Sequence, residues 1–318
     1  LASTSRASTS RRRAPPFEPE PRIRRAGIRR AGIRAAALGL AAAGPGAACS
    51  TTLPHSVASA AVLTVTTGLW PLAQAATTIG GDKVEVVDVV PPGADPFTYR
   101  PTAVQTRHIR ASDLVLEIGG GLQPGIEQVA AGAPALRRLR AELETADPEI
   151  WLDPPTMARA VQAIAADMAA ANPAAASLYD RNAKAFEAQV RSLAIDFSTT
   201  LSACPGRDLL TPDGAFSALA STYGLSLHAV GPSPTPAQVK GLEGEFRPGA
   251  PVAALSQPWV DDQGVDMVAV AAHLEVHPVD TLAAAPVGPA SGRATYPSRM
   301  EQELGVISGA LGCDASEQ

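Results

Sequence analysis

The chain has 318 residues, of which 46% are hydrophobic and 18% charged, enough apolar material for packed cores in one large or two ordinary domains and too much for a disordered chain. Its net charge of -5 conceals an asymmetry: residues 1–34 hold ten arginines against Glu18 and Glu20, a net of +8, so the remainder carries -5 - 8 = -13. That acidic remainder gives no electrostatic reason to expect a nucleic-acid partner.

The basic leader runs into the uncharged stretch 35–48, rich in Ala and Gly, and this is the n-region and h-region order of a secretory signal. The stretch is too short for a transmembrane helix, which takes about 20 apolar residues. Gly46-Ala47-Ala48 immediately before Cys49 resembles the lipobox of bacterial lipoproteins, with Gly46 where leucine usually stands. Residues 1–48 therefore read as signal and leader, Cys49 as a lipid-bearing mature N-terminus, and 49–61 as a flexible tether. The length of the leader points to a translation start downstream of Leu1. The protein is expected to be exported and anchored at the cell surface or in the periplasm. With Cys49 set aside, Cys204 and Cys313 remain, and two cysteines in an oxidising compartment usually pair. Neither has a histidine or a second cysteine at ligand spacing, which argues against a Cys-type zinc site.

From residue 62 the pattern alternates. Segments 63–67, 84–90 and 114–118 read as buried strands. Helices are predicted over 71–79, closed by Gly80-Gly81, over 102–112, and over 124–130 after the turn Gly119-Gly120-Gly121. Continuous apolar strands alternating with helices predict a parallel sheet covered by helices. Asn172-Pro173 reads as an N-cap and first-turn proline opening a helix to about Cys204, because Phe186, Val190, Leu193, Phe197 and Leu201 form one helical stripe. Such a helix would be about 45 Å long at 1.5 Å per residue. Strands then follow at 208–211, 226–230, 252–256 and 275–279, with helices at 215–223, 235–246 and 264–274 between them. A loop over 286–297 leads to a last helix at 298–311. The fold expected is α/β, with an N-terminal lobe (62–171), a linking helix (172–204) and a C-terminal lobe (205–318).

Two segments share an Asp-Pro lead-in, Asp95-Pro96-Phe97 and Asp147-Pro148-Glu149. Together with Gly80-Gly81-Asp82-Lys83, Pro91-Pro92-Gly93-Ala94, Tyr99-Arg100-Pro101-Thr102, Ala111-Ser112-Asp113, Asn182-Ala183, Gly214-Ala215-Phe216 and Tyr223-Gly224-Leu225, their order and spacing resemble the solute-binding proteins of zinc- and manganese-type metal-ion ABC importers (ZnuA/TroA-like). The resemblance covers about residues 62–312. It implies two α/β lobes joined by one rigid helix, with a divalent cation, manganese or zinc, held between them as transported cargo. It also implies a monomer that hands the ion to a membrane permease and its ATPase. Four positions of the family supply ligands. The first falls on Phe97, which has no donor atom where histidine is usual; the others fall on Glu149, Asp213 and Asp280, and Gln257 stands where many members have a glutamate.

Three carboxylates without imidazole form a hard oxygen set that suits manganese, magnesium or calcium better than zinc. Each acid also has an ordinary structural reading: Glu149 at a helix start, Asp213 as a cap after Pro212, Asp280 at a strand end. Brought together without a cation, three carboxylates repel and raise at least one pKa. A rival reading is therefore a divergent member that has lost metal uptake and serves as a surface interaction or accessory protein. No Ser-His-Asp, Cys-His or cofactor motif points to an enzyme, although paired acids can do acid–base work. His273 and His277 have the i, i+4 spacing of a zinc helix, but Pro278 follows at once and places the second in a strand. His108 and His228 read as surface or packing residues. Trp70, Trp151 and Trp259 read as cleft wall or core, and the triple glycine lacks the Gly-Lys-Ser/Thr of a phosphate loop.

Overall fold

The structure, a computed structural model, describes residues 62–288 and 291–313. The leader 1–48, the tether 49–61, Cys49 and His55 lie outside the described residues.

The first half runs β1 (Leu63–Thr67), α1 (Trp70–Gly80), β2 (Val84–Asp88), α2 (Ala103–Ala111), β3 (Leu114–Glu117), α3 (Pro124–Ala130), β4 (Leu136–Arg138) and the single turn α4 (Leu139–Glu142). Its strands pair in parallel in the order β2-β1-β3-β4, with Val65 opposite both Val86 and Leu114. Two helices follow, α5 (Pro154–Ala171) and α6 (Ala176–Ala203). The second half repeats the plan with β5 (Asp208–Thr211), α7 (Ser217–Tyr223), β6 (Ser226–Ala229), α8 (Pro236–Glu245), β7 (Val252–Ser256), α9 (Gln263–Ala272) and β8 (Val276–Pro278), and then α10 (Tyr296–Ala310). Its parallel order is β6-β5-β7-β8, with Leu209 opposite Leu227 and Ala253. The two-lobe α/β architecture expected from the alternation is the one observed.

Two elements depart from the expected order. β4 is an edge strand carrying Arg137 and Arg138, and no apolar run marks it. Residues 154–171 form an 18-residue helix that the reading above left unassigned, although Met157, Val161, Ile164 and Met168 are a buried stripe along it. Asn172 stands between the two helices, at the head of the 3-10 turn that leads into the long one. Its N–H still bonds to Met168 O at 2.8 Å, so it closes α5. Pro173 lacks an N–H and disfavours helical backbone before it. One 3-10 turn, Pro173–Ala175, separates the two helices. The long helix is thus the 28 residues of α6, about 42 Å at 1.5 Å per residue.

Strand alternation divides the core. Leu63, Val65, Leu114 and Leu116 from one sheet, and Leu209, Ala253 and Leu255 from the other, belong to a single apolar cluster that runs through α1, α5, α6 and α10. The opposite faces bury Val115 with Val89 and Ile109 in one lobe, and Leu210 and Ala254 with Val265 and Val268 in the other. The stripe Phe186, Val190, Leu193, Phe197 and Leu201 of α6 lies within the shared cluster, so the long helix is packed into both lobes. Cys204, just past α6, is disulfide-bonded to Cys313, just past α10, as the cysteine count predicts.

Candidate functional site

In open parallel sheets, the loops leaving the strands at their carboxyl ends form the crevice where ligands bind. Phe97 lies in the loop after β2, Asp213 directly after β5 and Asp280 directly after β8, while Glu149 precedes the 3-10 turn Ile150–Leu152. The local geometry explains the repeated lead-in. Asp95 Oδ1 accepts from Phe97 N at 2.8 Å and Asp147 Oδ1 from Glu149 N at 2.9 Å. Asp213 Oδ1 accepts from Ala215 N at 3.0 Å and Asp280 Oδ1 from Leu282 N at 2.8 Å. All four are turns in which an aspartate bonds to the backbone two residues on. In the first two the turn presents the following residue; in the last two the turn-forming aspartate is itself the candidate.

Glu149 is only 6% exposed, and its Oε2 is buried without a hydrogen-bond partner. Burial foremost, then the negative charges of Asp213 and Asp147, push its carboxyl up to about 8. Asp213, from the C-terminal lobe, is thus near enough to act on the Glu149 carboxyl through its charge. Asp147, the lead-in aspartate, also acts on Glu149 through its charge, and its Oδ2 accepts from Ser217 Oγ of α7 at 3.3 Å. The recurrence of Asp-Pro before both candidate positions is the available signal.

Asp280 is differently placed. Its Oδ2 accepts from Arg299 Nη2 of α10 at 2.7 Å, and its backbone N–H donates to Glu303 Oε2 at 2.9 Å. Burial raises the Glu303 carboxyl above the ordinary range, against the lowering effect of that hydrogen bond. Phe97 is half-buried and packs against the shared core. Gln257, at the end of β7, is 6% exposed with neither end of its amide hydrogen-bonded. Among the described residues, no three His, Cys, Asp or Glu side chains group so as to hold a metal ion.

The lobes are tied around this region by polar contacts. Trp70 N donates to Ala283 O at 3.1 Å. Trp151 Nε1 donates to Thr281 O at 2.6 Å, and Tyr296 Oη donates to Trp151 O at 2.7 Å. Trp151 is fully buried, so its indole N–H is a desolvated strut from the Glu149 segment to the Asp280 segment. Trp151→Phe should destabilise the protein by about 2 kcal/mol, because it leaves a buried carbonyl without its donor; urea unfolding of the two proteins measures this.

The remaining candidates resolve simply. Gly119, Gly120 and Gly121 all have positive φ, but the cradle is filled by the chain itself: Gly121 N donates to both carboxylate oxygens of Glu127, at 3.1 and 3.0 Å, and Gln123 N to Oε1 at 3.1 Å. His273 ends α9 in the left-handed conformation and His277 lies in β8, so they share no helix face. His108 is on α2, and His228 is on β6 between Asp208 and Glu245. Trp70 and Trp151 are core residues, whereas Trp259 is 37% exposed.

The profile of the family described as "Zinc-uptake complex component A periplasmic" (ZnuA) matches residues 65–310. The manganese-binding lipoprotein MntA of Bacillus subtilis is 29% identical over 198 residues, 57% of this chain and 61% of that protein. The iron-binding protein YfeA of Yersinia pestis is 30% identical over 164 residues, 47% of this chain and 53% of that protein. The chain thus spans between about half and three fifths of the length of these relatives. Among solved structures, the Zn(II)-bound ZnuA-like domain of Streptococcus pneumoniae AdcA aligns with a TM-score of 0.66 at 18% identity, covering 78% of this chain and 98% of that one. At that identity the likeness is one of fold.

Proposed function

Because this chain belongs to the ZnuA family, we propose that it is an extracytoplasmic receptor that captures a divalent metal ion and delivers it to an ABC importer. The ion sits between the N-terminal lobe (62–171) and the C-terminal lobe (205–318), with Glu149, Asp213 and Asp280 as ligands. The observation that supports this most directly is the buried, unpartnered Oε2 of Glu149 beside Asp213. A buried acid held beside a second carboxylate in a protein of this fold is a group that a cation can compensate in place of a proton. The donor set is all oxygen, which favours a hard ion over zinc, and water completes the coordination. Relatives named for manganese and iron, and a zinc-bound structural neighbour, are compatible with this class of cargo. The partners are a permease and its ATPase, with no enzymatic step. Among the described residues no helix is long and apolar enough to cross a membrane, and attachment through lipid on Cys49 is part of the proposal.

A second reading draws support from two residues. Phe97 offers no donor, and Asp280 is already ion-paired, as in a family member that has given up metal uptake for an accessory role at the cell surface. Calorimetric titration of the chelator-treated protein with manganese, zinc, calcium and magnesium, with elemental analysis, separates the two. The receptor is expected to bind one equivalent, weakened at least about tenfold by Glu149→Ala or Asp213→Ala, the order of effect for a lost charged contact. Binding of none of the four ions would favour the second reading.

A further inference from the structure

We propose that Arg299 is a built-in competitor for the cation: its guanidinium occupies Asp280 in the resting protein, and a metal ion gains that ligand only by displacing it. The inference rests on the receptor reading above and adds the residue that sets its affinity. Both carboxylate oxygens of Asp280 are engaged, Oδ1 by Leu282 N and Oδ2 by Arg299 Nη2. The same guanidinium lies 3.6 Å from Glu303 Oε1 through Nη2 and donates from Nη1 to Gln302 Oε1 at 2.6 Å. It is therefore held on its own helix face as well as by Asp280. An arginine does not lose its charge in the physiological range, so raising the pH does not free Asp280, and a metal cation has to compete with the guanidinium for it.

Space exists for the exchange. Arg299 forms part of the wall of two cavities. One, of about 600 Å³, is also lined by Gln257, Asp280 and Glu303. The other, of about 240 Å³, is lined by Arg293, Ser298 and Gln302. A guanidinium leaving Asp280 can turn toward the second, leaving the Asp280 carboxylate on the wall of the first. The orphaned amide of Gln257 lines the first cavity and offers an oxygen to a hydrated cation there. Among the described residues the three mapped acids do not form one cluster, and in the resting protein Asp280 is retained by Arg299. The competition also raises the threshold for capture, so an ion that binds carboxylate weakly is refused.

The test is calorimetric titration with manganese(II) chloride and zinc(II) chloride of the chelator-treated wild type, Arg299→Met, Asp280→Asn and the double variant, with thermal melts in chelator to confirm folding. Arg299→Met is expected to bind about 10- to 100-fold more tightly than wild type, the value of one charge-assisted hydrogen bond. That gain should vanish in the double variant. Arg299→Lys, which keeps the charge without the fork, should show a smaller gain and stands in if the methionine variant does not fold. Equal affinity of wild type and the Arg299 variants overturns the proposal and leaves the receptor standing. A gain that survives Asp280→Asn also overturns it, because the arginine would then act elsewhere. Binding by none of the proteins overturns the proposal together with the receptor reading.

Discussion

Glu149→Gln in the metal-free protein is expected to raise stability at pH 9 by on the order of 3 to 5 kcal/mol while changing it little at pH 4.5. Glu149 has a folded pKa of about 8 against an ordinary 4.5. Between those values the unfolded chain has released the proton and the folded chain still holds it. The folded state then binds more protons, so stability falls as pH rises through this window and the loss is complete above the folded value. The isosteric amide carries no charge at any of these pH values and avoids the loss. Asp88, also buried and pushed up to about 7, contributes a loss of the same sign between 3.8 and 7, but it is present in both proteins and cancels in the comparison. Denaturant unfolding at pH 5, 7 and 9 is the measurement, and a gap that does not widen with pH would mean that the carboxyl is solvated. A bound cation should reverse the order. It stabilises the carboxylate and gives nothing comparable to the amide, so added metal should raise the midpoint of the wild type alone, with release of a proton when binding occurs below pH 8.

The fold was legible wherever burial imposes a period. β1, β3, β5 and β7 are central strands with buried residues throughout or nearly so; β3 and β7 stand out as the apolar runs 114–116 and 252–255, and β1 and β5 as shorter apolar cores mixed with threonine. β4 escaped because an edge strand needs no such run and can carry Arg137 and Arg138, the latter compensating the buried Glu117 at 2.7 Å. α5 escaped for a different reason. Its alanines blur the contrast between its faces. At the site, family resemblance and the Asp-Pro lead-ins located Phe97, Glu149, Asp213 and Asp280 by position, and the aspartate turns give those positions a common geometry. What no local pattern could supply is the set of long-range partners. Asp213 raises the Glu149 pKa from the other lobe, and Arg299 reaches Asp280 from 19 residues further along the chain. The candidate residue types could be read in sequence; their long-range partners are a property of the packing between lobes.

The disulfide should produce the other large effect. Cys204 and Cys313 are separated by 109 residues, and the loop they close contains every strand of the second sheet together with α7 to α10. Closing a loop of that length removes conformational entropy from the unfolded chain, worth about 4 to 5 kcal/mol on the chain-entropy account. Paired substitution Cys204→Ser with Cys313→Ser, or reduction in denaturant, should therefore lower the unfolding free energy by about that amount, read from the urea midpoint with the slope checked separately. A loss below about 1 kcal/mol would contradict the entropic account. The folded site should change less than the stability does. α10 remains bound through Tyr296 to Trp151 and through Arg299 to Asp280, and Met300, Leu304 and Ile307 keep it in the shared core. Metal affinity measured well below the lowered transition should accordingly stay within a few-fold of the oxidised protein. A larger drop would mean that the covalent tie, and not the core, holds α10 in register beneath Asp280.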